Sequence, residues 1–471
     1  MRAITAALLL VAGCGADPPQ GSSAGAPLAT PLPRTVLGQR LSVAAAPGAE
    51  RARAVWTEDG AERRSADVAV SGSEAAVALL GLRPGATYQA VVEQEGPGGV
   101  SRSAPVDFAT AALPPAVAGL TLEVSGAPPE GLVLVNNLAA VSPGVLAAFD
   151  GQGQLRWYRL FDGPLPVVEA KQLPSGNLVA FLGTTTGWLP VVGGYVEVAP
   201  TGEQLRTLQA APPLFTDNHE LLITGEGTPE ERIHLFGYDA RPVDLGPIGH
   251  PGTADMVAHH VQRQLPSGAV EFAWSAWDHL EVTDAINLPF PAEPAGQDLD
   301  HPNSLQVTPE GDYLVSFRNL DAVWRLDGLT GEVQWRLGGV RSDFTFLDDP
   351  QGGFSGQHTA SLLPDGHLLV FDNGTHHEPP ASRAAEYALD LEAHTARLVW
   401  SFTPPGGGFN QFTGSAYRDA AGTTWVGMSE RGEIYRVAAD GSVLWSARLL
   451  RDGQPVRFYR AVPIAGLQPA P

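Results

Sequence analysis

After about residue 130 the chain repeats two phrases of alternating apolar and polar positions. The first phrase is an apolar strand, a turn rich in Pro, Asp or Gly, and a second apolar strand, as in "SLQVTPEGDYLVSFR" and "SLLPDGHLLVFDNG". The second phrase is a strand, a polar turn and a strand that often ends in Trp, as in "VWRLDGLTGEVQW". Short runs of this kind, separated by turn residues, predict β-strands. Joined, the two phrases predict one four-stranded antiparallel sheet.

The number of repeats sets the predicted architecture. Four clear copies of the first phrase, an irregular copy at "HELLITGEGTPEERIHLFGYDA" and a partial unit near Gly131 make about six sheets. The partial unit lacks strands, and "VRFYRAVPIAGL" near the C-terminus is placed to complete it. The sequence therefore predicts an all-β fold, a six-bladed β-propeller over residues 113–471 closed by the two chain ends. The alternative is a longer array of unclosed sheets, which would leave bare strand edges.

A region before the repeats has a different organisation. Residues 34–112 contain short alternating runs such as "RARAVWTE" and "YQAVVEQE", separated by Gly, Pro and polar turns. This spacing predicts a small β-sandwich. The segment "LLGLRPGATYQAVVEQ" resembles the tyrosine-corner segment of fibronectin type III domains, through Leu82, Pro84, Thr87 and Tyr88. The alternative is a generic hairpin. We expect this fibronectin-III-like domain to act in spacing or packing.

The first residues predict export. "MRAITAALLLVAGCGADPP" has Arg2, an apolar run to Val11 and then "VAGC", which holds the single cysteine, Cys14. This pattern is typical of a secretory signal, and the small residues before Cys14 resemble a bacterial lipobox. The resemblance implies a lipoprotein signal peptide over residues 1–13, lipidation of Cys14 and, because Gly15 follows, an anchor in the outer membrane. The alternative is an ordinary secretory signal with a chance cysteine.

Composition limits the other partners. Residues 14–33 are rich in Pro, Gly, Ala and Ser and predict a flexible tether. The apolar run before Cys14 is too short to span a bilayer, so the lipid anchor is the only membrane contact that we expect. Acidic residues outnumber basic ones, 51 to 29, which argues against a nucleic-acid partner and against attraction to anionic lipid. An anionic small substrate is not excluded, because a local site can hold its own arginine.

The predicted sheets bring particular positions to one end of a central channel. The end at which each innermost strand begins also receives the end of the second, antiparallel strand. Counting eight residues back from the turn glycine of the inner hairpin gives His358 from Gly366 and Asn303 from Gly311. Three kinds of position are expected at this end of the channel: those found by the count, those close to them in the sequence, and those at the end of a second strand. The residues at these positions are His219, His301, Asn303, Arg318, His358, Asn373, Thr413 and Ser415.

The residue types in this set favour an oxyanion site. One arginine, several imidazoles and an amide can donate charge-assisted hydrogen bonds to a compact oxyanion, and the pattern places no carboxylate among them. A neutral imidazole can also attack sulfur or phosphorus, and its neighbours can transfer protons. Two alternatives stay open, a zinc site of His219, His301 and His358, and a set of hydrogen-bonded channel plugs. Histidines without this alignment, expected in loops or at strand edges, are His259, His260, His279, His376, His377 and His394.

Two segments carry a family resemblance. "DHPNSLQVTPEGDYLVSFRNLDAVWRLDGLTGEVQWRLGG" and "GQHTASLLPDGHLLVFDNG" closely resemble blades of the bacterial arylsulfotransferases that need no nucleotide sulfate donor. The likeness covers most of the chain from about residue 130. It implies a six-bladed propeller, often with a small N-terminal β domain, that works outside the cytoplasm and needs no metal or other cofactor.

The resemblance also implies a role for each aligned residue. His358 of "GQH" matches the histidine that transiently takes the sulfuryl group. Further matches are His301 and Asn303 of "HPNS" and Arg318 of "SFR", which hold the sulfate, and His219 of "DNHE", a further active-site histidine. A hydroxyl residue of the family's site aligns near Thr413 or Ser415. Tyr459 of "FYR" is a weaker match to an aromatic residue of that site. Cysteines found near the site in some members are absent here.

The sequence thus predicts a nucleotide-independent sulfotransferase. An aryl sulfate donor binds at Arg318, Asn303 and His301, and His358 attacks the sulfur. A neighbouring imidazole such as His219 protonates the departing phenol, and a phenolic acceptor then takes the group from the sulfohistidine in a ping-pong sequence. Two alternatives remain, a non-catalytic propeller lipoprotein that binds protein or glycan partners, and a metal-dependent hydrolase of sulfate or phosphate esters.

Overall fold

The computed structural model describes residues 25–136, 143–163, 167–186, 189–250, 252–288 and 298–467. The regular structure in these ranges is almost entirely β-strand, so the all-β prediction is confirmed. The exceptions are one helix, α1 (Pro115–Ala118), and the 3₁₀ turns Gly246–Ile248, Ala276–Asp278, Val282–Asp284, Arg318–Leu320 and Ser429–Arg431. No helix in the described ranges has the length and apolar character to cross a bilayer. The predicted signal peptide and Cys14 lie outside these ranges.

The chain divides into two compact units. The first comprises the described residues up to Thr30, Gln39–Leu79 and Thr87–Ala109. Strands β1 to β9 are Leu28–Pro31, Gly38–Ala44, Arg51–Glu58, Ala61–Arg64, Val68–Ala69, Glu74–Leu80, Thr87–Gly96, Gly99–Arg102 and Val106–Ala109. They form one sheet in the order β1-β2-β6 and another in the order β4-β3-β7-β8, in which β5 pairs with β3 and β9 with β7.

Alternation explains this first unit. In β6 and β7 every second side chain is buried near the start of the strand, as a sheet with one covered face requires. Tyr88 is buried, and its hydroxyl donates to Oε1 of Glu58 at 3.1 Å. Strand β1 corrects the predicted tether, because Leu28–Pro31 pair with β2 instead of forming part of a linker. A four-residue strand in a Pro-rich stretch is too short to show a period of two.

The second unit consists of Pro31–Gly38, Leu80–Ala86 and Thr110–Pro471. Its strands, β10 to β36 in chain order, are Leu120–Gly126, Leu132–Asn136, Gly144–Asp150, Leu155–Phe161, Val167–Gln172, Leu178–Thr186, Leu189–Val198, Gln204–Leu208, Phe215–Thr224, Arg232–Asp244, Thr253–Gln264, Val270–Ser275, Pro302–Val307, Tyr313–Phe317, Ala322–Leu326, Val333–Gly338, Thr345–Leu347, His358–Leu362, Leu368–Asp372, Arg383–Asp390, Thr395–Phe402, Ser415–Arg418, Thr424–Met428, Glu433–Val437, Val443–Arg451, Gln454–Pro455 and Ala461–Ile464.

These strands form six sheets among the described residues, each with a core of four antiparallel strands. The sheet orders are β13-β12-β11-β36, β14-β15-β16-β17, β18-β19-β20-β21, β22-β23-β24-β25, β26-β30-β29-β28-β27 and β10-β34-β33-β32-β31. The C-terminal strand β36 completes the first sheet, with Leu132 opposite Ile464, as the sequence predicted. Strands β10, β26 and β35 add to sheet edges, and the repeat gave no sign of them.

Apolar residues of neighbouring sheets pack against each other. Phe236 and Met256 of the β18–β21 sheet share one buried cluster with Leu305, Tyr313 and Val315 of the next sheet. Burying a large apolar side chain contributes roughly 1.5–3 kcal/mol relative to leaving it exposed. This packing holds the first strands of successive sheets in contact, β14 with β18, β18 with β22, β22 with β27 and β27 with β31, while β36 contacts β14.

The first strands share an irregularity at the end where they begin. The pairing register shifts between Thr216 and Leu221 in β18, between Pro302 and Ser304 in β22, and between His358 and Ser361 in β27. Bulges of this kind redirect side chains and often lie beside functional sites. Of the predicted site residues, His219, Asn303 and His358 lie at these bulges.

Candidate functional site

The predicted histidines occupy matching places on adjacent first strands. His358 is the first residue of β27, His219 lies in the bulge of β18, and His301 directly precedes β22. His301 has a positive φ of 48°, and Thr359 next to His358 has a φ of 50°. Non-glycine residues seldom adopt this conformation, and such strain concentrates at functional sites. The structure therefore brings together the residues that the count from the turn glycines selected.

Two hydrogen-bond partners at Nδ1 fix the orientation of the His358 ring. Its side chain is buried, and Nδ1 lies 3.1 Å from the carbonyl oxygen of Gly356 and 2.7 Å from Oδ1 of Asn373. Both neighbours are acceptors, so in the neutral ring Nδ1 carries the proton and Nε2 carries the lone pair. The Asn373 amide cannot turn round, because its Nδ2 donates to the carbonyl oxygens of Asn410 at 2.8 Å and Thr413 at 2.9 Å.

The His358 ring is neutral at physiological pH. Burial, followed by the positive charge of Arg318, holds the pKa of the imidazole well below its usual value of 6.5. His301 and His219 contribute in the same direction, while the hydrogen bond that His358 donates to Asn373 opposes them. A neutral imidazole with an available Nε2 lone pair is a competent nucleophile.

His219 and His301 form a second pair of imidazoles beside His358. Their ring centroids lie 4.5 Å apart in an edge-on arrangement. Nδ1 of His219 donates to Asp217, 2.9 Å from Oδ1, and Nδ1 of His301 donates to Oδ2 of Asp298 at 2.8 Å. Burial lowers the pKa of His301, and Asp298 opposes this effect. With Nδ1 donating, each neutral ring keeps the Nε2 lone pair available for a proton.

These contacts correct the expectation that no carboxylate belongs to the cluster. Asp217 and Asp298 lie behind the histidines, and Asp300 lies one step further away. Asp300 accepts from the N–H of His301 at 3.0 Å and faces Nδ1 of His259 at 2.7 Å. The predictions for His259 and His260 are also corrected, because both are buried residues of β20 and not loop or strand-edge residues. The sequence neighbours of His259 gave no sign of partners 41 positions away.

Arg318 supplies a buried positive charge with open hydrogen-bonding capacity. It begins the 3₁₀ turn after β23, and its NH1 donates to Oδ1 of Asn319 at 2.8 Å and to the carbonyl oxygen of Asn287 at 3.2 Å. NH2 donates to the carbonyl oxygen of Gln411 at 3.3 Å, while the buried Nε has no partner within the described ranges. No carboxylate of the described residues forms an ion pair with this guanidinium. Its charge is therefore available to a bound anion.

An aromatic ring covers the same guanidinium. The Arg318 Cζ lies 4.9 Å from the centre of the Phe412 ring, a cation–π contact. Burial lowers the pKa of Arg318 but does not deprotonate a guanidinium. The site therefore places one delocalised cation close to the neutral imidazole of His358.

Asn303 and the two hydroxyl residues hold main-chain groups. Nδ2 of Asn303 donates to the carbonyl oxygen of Gln357 at 2.6 Å, and its buried Oδ1 has no partner among the described atoms. The Thr413 hydroxyl donates to the carbonyl oxygen of Phe412 at 2.6 Å. The Ser415 hydroxyl accepts from the N–H of Ala461 at 3.4 Å. A role for Asn303, Thr413 or Ser415 in sulfate binding stays a prediction.

A buried group of charges beneath the histidines was missed by the sequence analysis. NH1 of Arg460 lies 2.9 Å from Oε2 of both Glu169 and Glu220, and Lys171 bonds Glu220. NH2 of Arg460 donates to the carbonyl oxygens of His219 and Asn303. The residue follows Tyr459, whose ring centroid lies 6.0 Å from that of His219. The sequence analysis named Tyr459 of "FYR" as a candidate site residue but not Arg460. The arginine next to Tyr459 in that segment was the one sign of this group in the sequence.

One group with metal-ligand geometry occurs among the described residues. Asp365, His367 and Glu386 place one ligand atom each within 4.8 Å of one another. His367 and Asp365 lie at the turn of the β27–β28 hairpin, remote in that hairpin from His358 at its start. Nδ1 of His367 donates to Oε1 of Glu386 at 2.8 Å, and Arg418 bonds the other oxygen, which accounts for the grouping.

The fold and the site define a class, an all-β protein with a buried neutral histidine close to a buried arginine that forms no ion pair with a carboxylate of the described residues. The sequence profile of the arylsulfotransferase family (ASST) matches residues 122–433. The chain belongs to the arylsulfotransferase family. The matched range contains every candidate from His219 to Ser415 but stops before Tyr459 and Arg460.

Other comparisons are distant. A protein of unknown function from Bacteroides caccae is 12% identical, with 71% of this chain and 99% of that chain covered and a TM-score of 0.43. A streptogramin B lyase is 9% identical, with 70% and 88% covered and a TM-score of 0.36. An inactive virginiamycin B lyase from Staphylococcus aureus is 9% identical, with 69% and 73% covered and a TM-score of 0.32. No curated protein sequence matches the chain.

Proposed function

We propose that the protein transfers a sulfuryl group from an aryl sulfate to a phenol through a sulfohistidine at His358. The observation that carries this proposal is the neutral His358 ring, held by Asn373 and Gly356, close to Arg318, which forms no ion pair with a carboxylate of the described residues. An attacking imidazole needs a free lone pair, and a sulfuryl group needs positive donors for its oxygens.

The first half-reaction uses the donor. Nε2 of His358 attacks sulfur, a bond between Nε2 and sulfur forms, and the bond from sulfur to the phenolic oxygen breaks. Arg318 binds the sulfuryl oxygens, with Asn303, His301 and the Thr413 or Ser415 hydroxyl as further ligands. Positive charge develops on the His358 ring, and the acceptors at Nδ1–H stabilise it. His219 enters this step as an imidazolium whose Nδ1–H donates to Asp217. Its Nε2–H gives the proton to the departing phenolate, which leaves His219 neutral for the second half-reaction.

The second half-reaction reverses these steps with an acceptor. Nε2 of His219 takes the proton of the new phenol, and the phenolic oxygen attacks sulfur. The bond between sulfur and Nε2 of His358 breaks, and its electron pair returns to the ring. The donor product leaves before the acceptor reacts, so we expect ping-pong kinetics.

Transfer from a chromogenic aryl sulfate to an added phenol tests this function. We expect an initial burst of chromophore without acceptor and steady-state release that depends on the acceptor, and we expect the His358→Ala variant to lose both. Equal activity of the alanine variant would refute the role of His358. Release that is independent of any acceptor and sensitive to a chelator would instead identify a metal-dependent ester hydrolase, and no turnover at all would favour a binding protein.

We also infer how the two units serve this function. The six sheets of the second unit are proposed as blades of a six-bladed β-propeller with the first strands innermost, since these strands contact each other in succession and β36 completes the first sheet. We propose a fibronectin-III-like sandwich for residues 34–112. We further propose export and lipid anchoring at Cys14, at the outer membrane, which would give the site access to phenols outside the cytoplasm.

A further inference from the structure

We propose that His259 is a positioning residue which, through Asp217, sets how firmly His219 holds its proton during transfer to the acceptor. This inference rests on the proposed function and assigns a task to a residue outside the aligned set. His259 lies in β20, the third strand of its sheet, whereas His219 lies in the first strand.

A continuous line of side chains joins the two histidines. Nδ1 of His259 lies 2.7 Å from Oδ1 of Asp300, and its Nε2 lies 3.4 Å from Oδ2 of Asp217. Asp217 in turn accepts from Nδ1 of His219, with Oδ1 at 2.9 Å and Oδ2 at 3.1 Å. The order Asp300, His259, Asp217, His219 thus leads from the interior to the reacting imidazole.

The charges along this line are fixed. Burial opposes protonation of His259, but Asp300 and Asp217 together raise its pKa well above 6.5. Burial would raise the pKa of Asp217, but His219 and His259 lower it below its ordinary value. An imidazolium therefore stands between two carboxylates, with Nδ1 bonded to Asp300 and Nε2 facing Asp217.

The His259 imidazolium acts on His219 through Asp217, which lies between them. Asp217 alone would pull a proton strongly onto His219, because a carboxylate beside an imidazole stabilises its charged form. The cation at His259 shares Asp217 and weakens that pull, so His219 can release a proton as well as accept one. Groups that face or act on the same part of the site are Asp217, His259, Asp298, His301, Arg318, His358, Tyr459 and Arg460.

The two half-reactions separate this role from a general structural one. A nitrophenyl sulfate has a good leaving group that needs little help from an acid, whereas an unactivated phenol acceptor needs a base. We therefore expect His259→Gln to leave the initial burst of nitrophenol within about twofold of the unchanged protein. Transfer to phenol should slow about tenfold at neutral pH, because Asp217, no longer shared with a cation, then favours the protonated form of the base.

A matched control lies next to His259. Nε2 of His260 bonds Oδ1 of Asp239 at 2.8 Å, outside this line. We expect His260→Gln to keep both half-reactions and both pH profiles. A His259→Gln profile for phenol transfer that coincides with the unchanged protein, or an equal loss in both half-reactions at every pH, overturns the proposal.

A measurement on the unsubstituted protein guards against misfolding of the variant. Neutron diffraction from crystals exchanged into deuterium oxide at neutral pH should show deuterium on both nitrogens of His259 and on Nδ1 alone of His358. Deuterium on only one nitrogen of His259 would overturn the proposal. Absence of a nitrophenol burst from the unsubstituted protein would instead refute the proposed function, so the two failures are distinguishable.

Discussion

The amide of Asn373 is the residue that prepares His358. Its two N–H groups donate to the carbonyl oxygens of Asn410 and Thr413, which leaves Oδ1 facing the His358 ring. A histidine without this neighbour could rotate or exchange tautomers and lose the nucleophilic Nε2. Orientation of a reacting group contributes to rate without any contact to the substrate.

Replacing this amide by a carboxylate should alter the pH dependence of the donor half-reaction. The pKa of His358 lies well below 6.5, and only the neutral ring reacts, so the burst rate should stay level from pH 8 to below 6.5. In Asn373→Asp a negative charge favours the imidazolium and raises that pKa. We expect the acid limb of the burst rate to move to higher pH. Once the limb lies above neutral pH, the burst at pH 7 should fall about tenfold for each further pH unit that the limb moves.

The Asn373→Ala variant is the control for this prediction. It removes the acceptor without adding a charge, so the burst should slow at every pH while the acid limb does not rise. Stopped-flow measurement of nitrophenol release across pH 5 to 9 compares the variants. An unmoved limb in Asn373→Asp would contradict the assigned role of the neutral ring.

At the residue scale, the sequence predicted which candidate side chains would lie close together better than it predicted the groups that support them. Counting from turn glycines found His358 and His219, because the repeat fixes where each first strand begins. The carboxylates were visible in "DNHE" and "DLDHPN", where Asp217 and Asp298 stand two and three positions before the histidines they bond. A strand pattern predicts that successive side chains point to opposite faces of the sheet. Bulges at the start of the first strands interrupt this alternation, so the contacts made there do not follow from the pattern.

At the element scale, the last strand β36 joins the site to the sheet that the chain ends complete. Arg460 directly precedes β36 and binds Glu169 of β14, Glu220 of β18 and the carbonyl oxygens of His219 and Asn303. One side chain thus connects three first strands at the level of the reacting groups. The sequence repeat could not predict this connection, since it joins residues up to 291 positions apart in chain numbering.

Removing Arg460 should destabilise the second unit. Arg460→Leu leaves Glu169 and Glu220 buried with only Lys171 as a cation, and breaking a buried ion pair typically costs about 3–5 kcal/mol. Denaturant unfolding followed by tryptophan fluorescence measures the change. Arg457→Ala is the control, because Arg457 is exposed and its loss should change the unfolding free energy by about 0.5 kcal/mol or less. Equal effects of the two substitutions would contradict the assigned role of Arg460.

At the scale of the whole molecule, strands near both ends of the second unit join its sheets. Strand β10 pairs with β34 at a sheet edge, and strand β36 pairs with β11 and completes the first sheet. The sequence predicted the contribution of β36, because the partial unit near Gly131 required a partner. It did not predict β10, which adds a fifth strand to a sheet that already had four.

The proposed lipid anchor is a prediction for the whole chain. Cys14→Ala should release the protein from the outer-membrane fraction. Sulfuryl transfer should not change, because every candidate site residue belongs to the second unit and Cys14 does not. Fractionation of cells and metabolic labelling with a radioactive fatty acid measure the two consequences. Label incorporated into the Cys14→Ala protein, or membrane retention of that variant, would contradict the anchor.

The covalent intermediate is the central claim, and trapping it is the most direct test. The protein is mixed with an aryl sulfate without acceptor, quenched rapidly, digested and analysed by mass spectrometry. We predict one sulfuryl group on Nε2 of His358 in each active molecule, and its disappearance on addition of a phenol with formation of one equivalent of the new aryl sulfate. Transfer that proceeds with no modified His358, or with the sulfuryl group on another residue, would contradict the account.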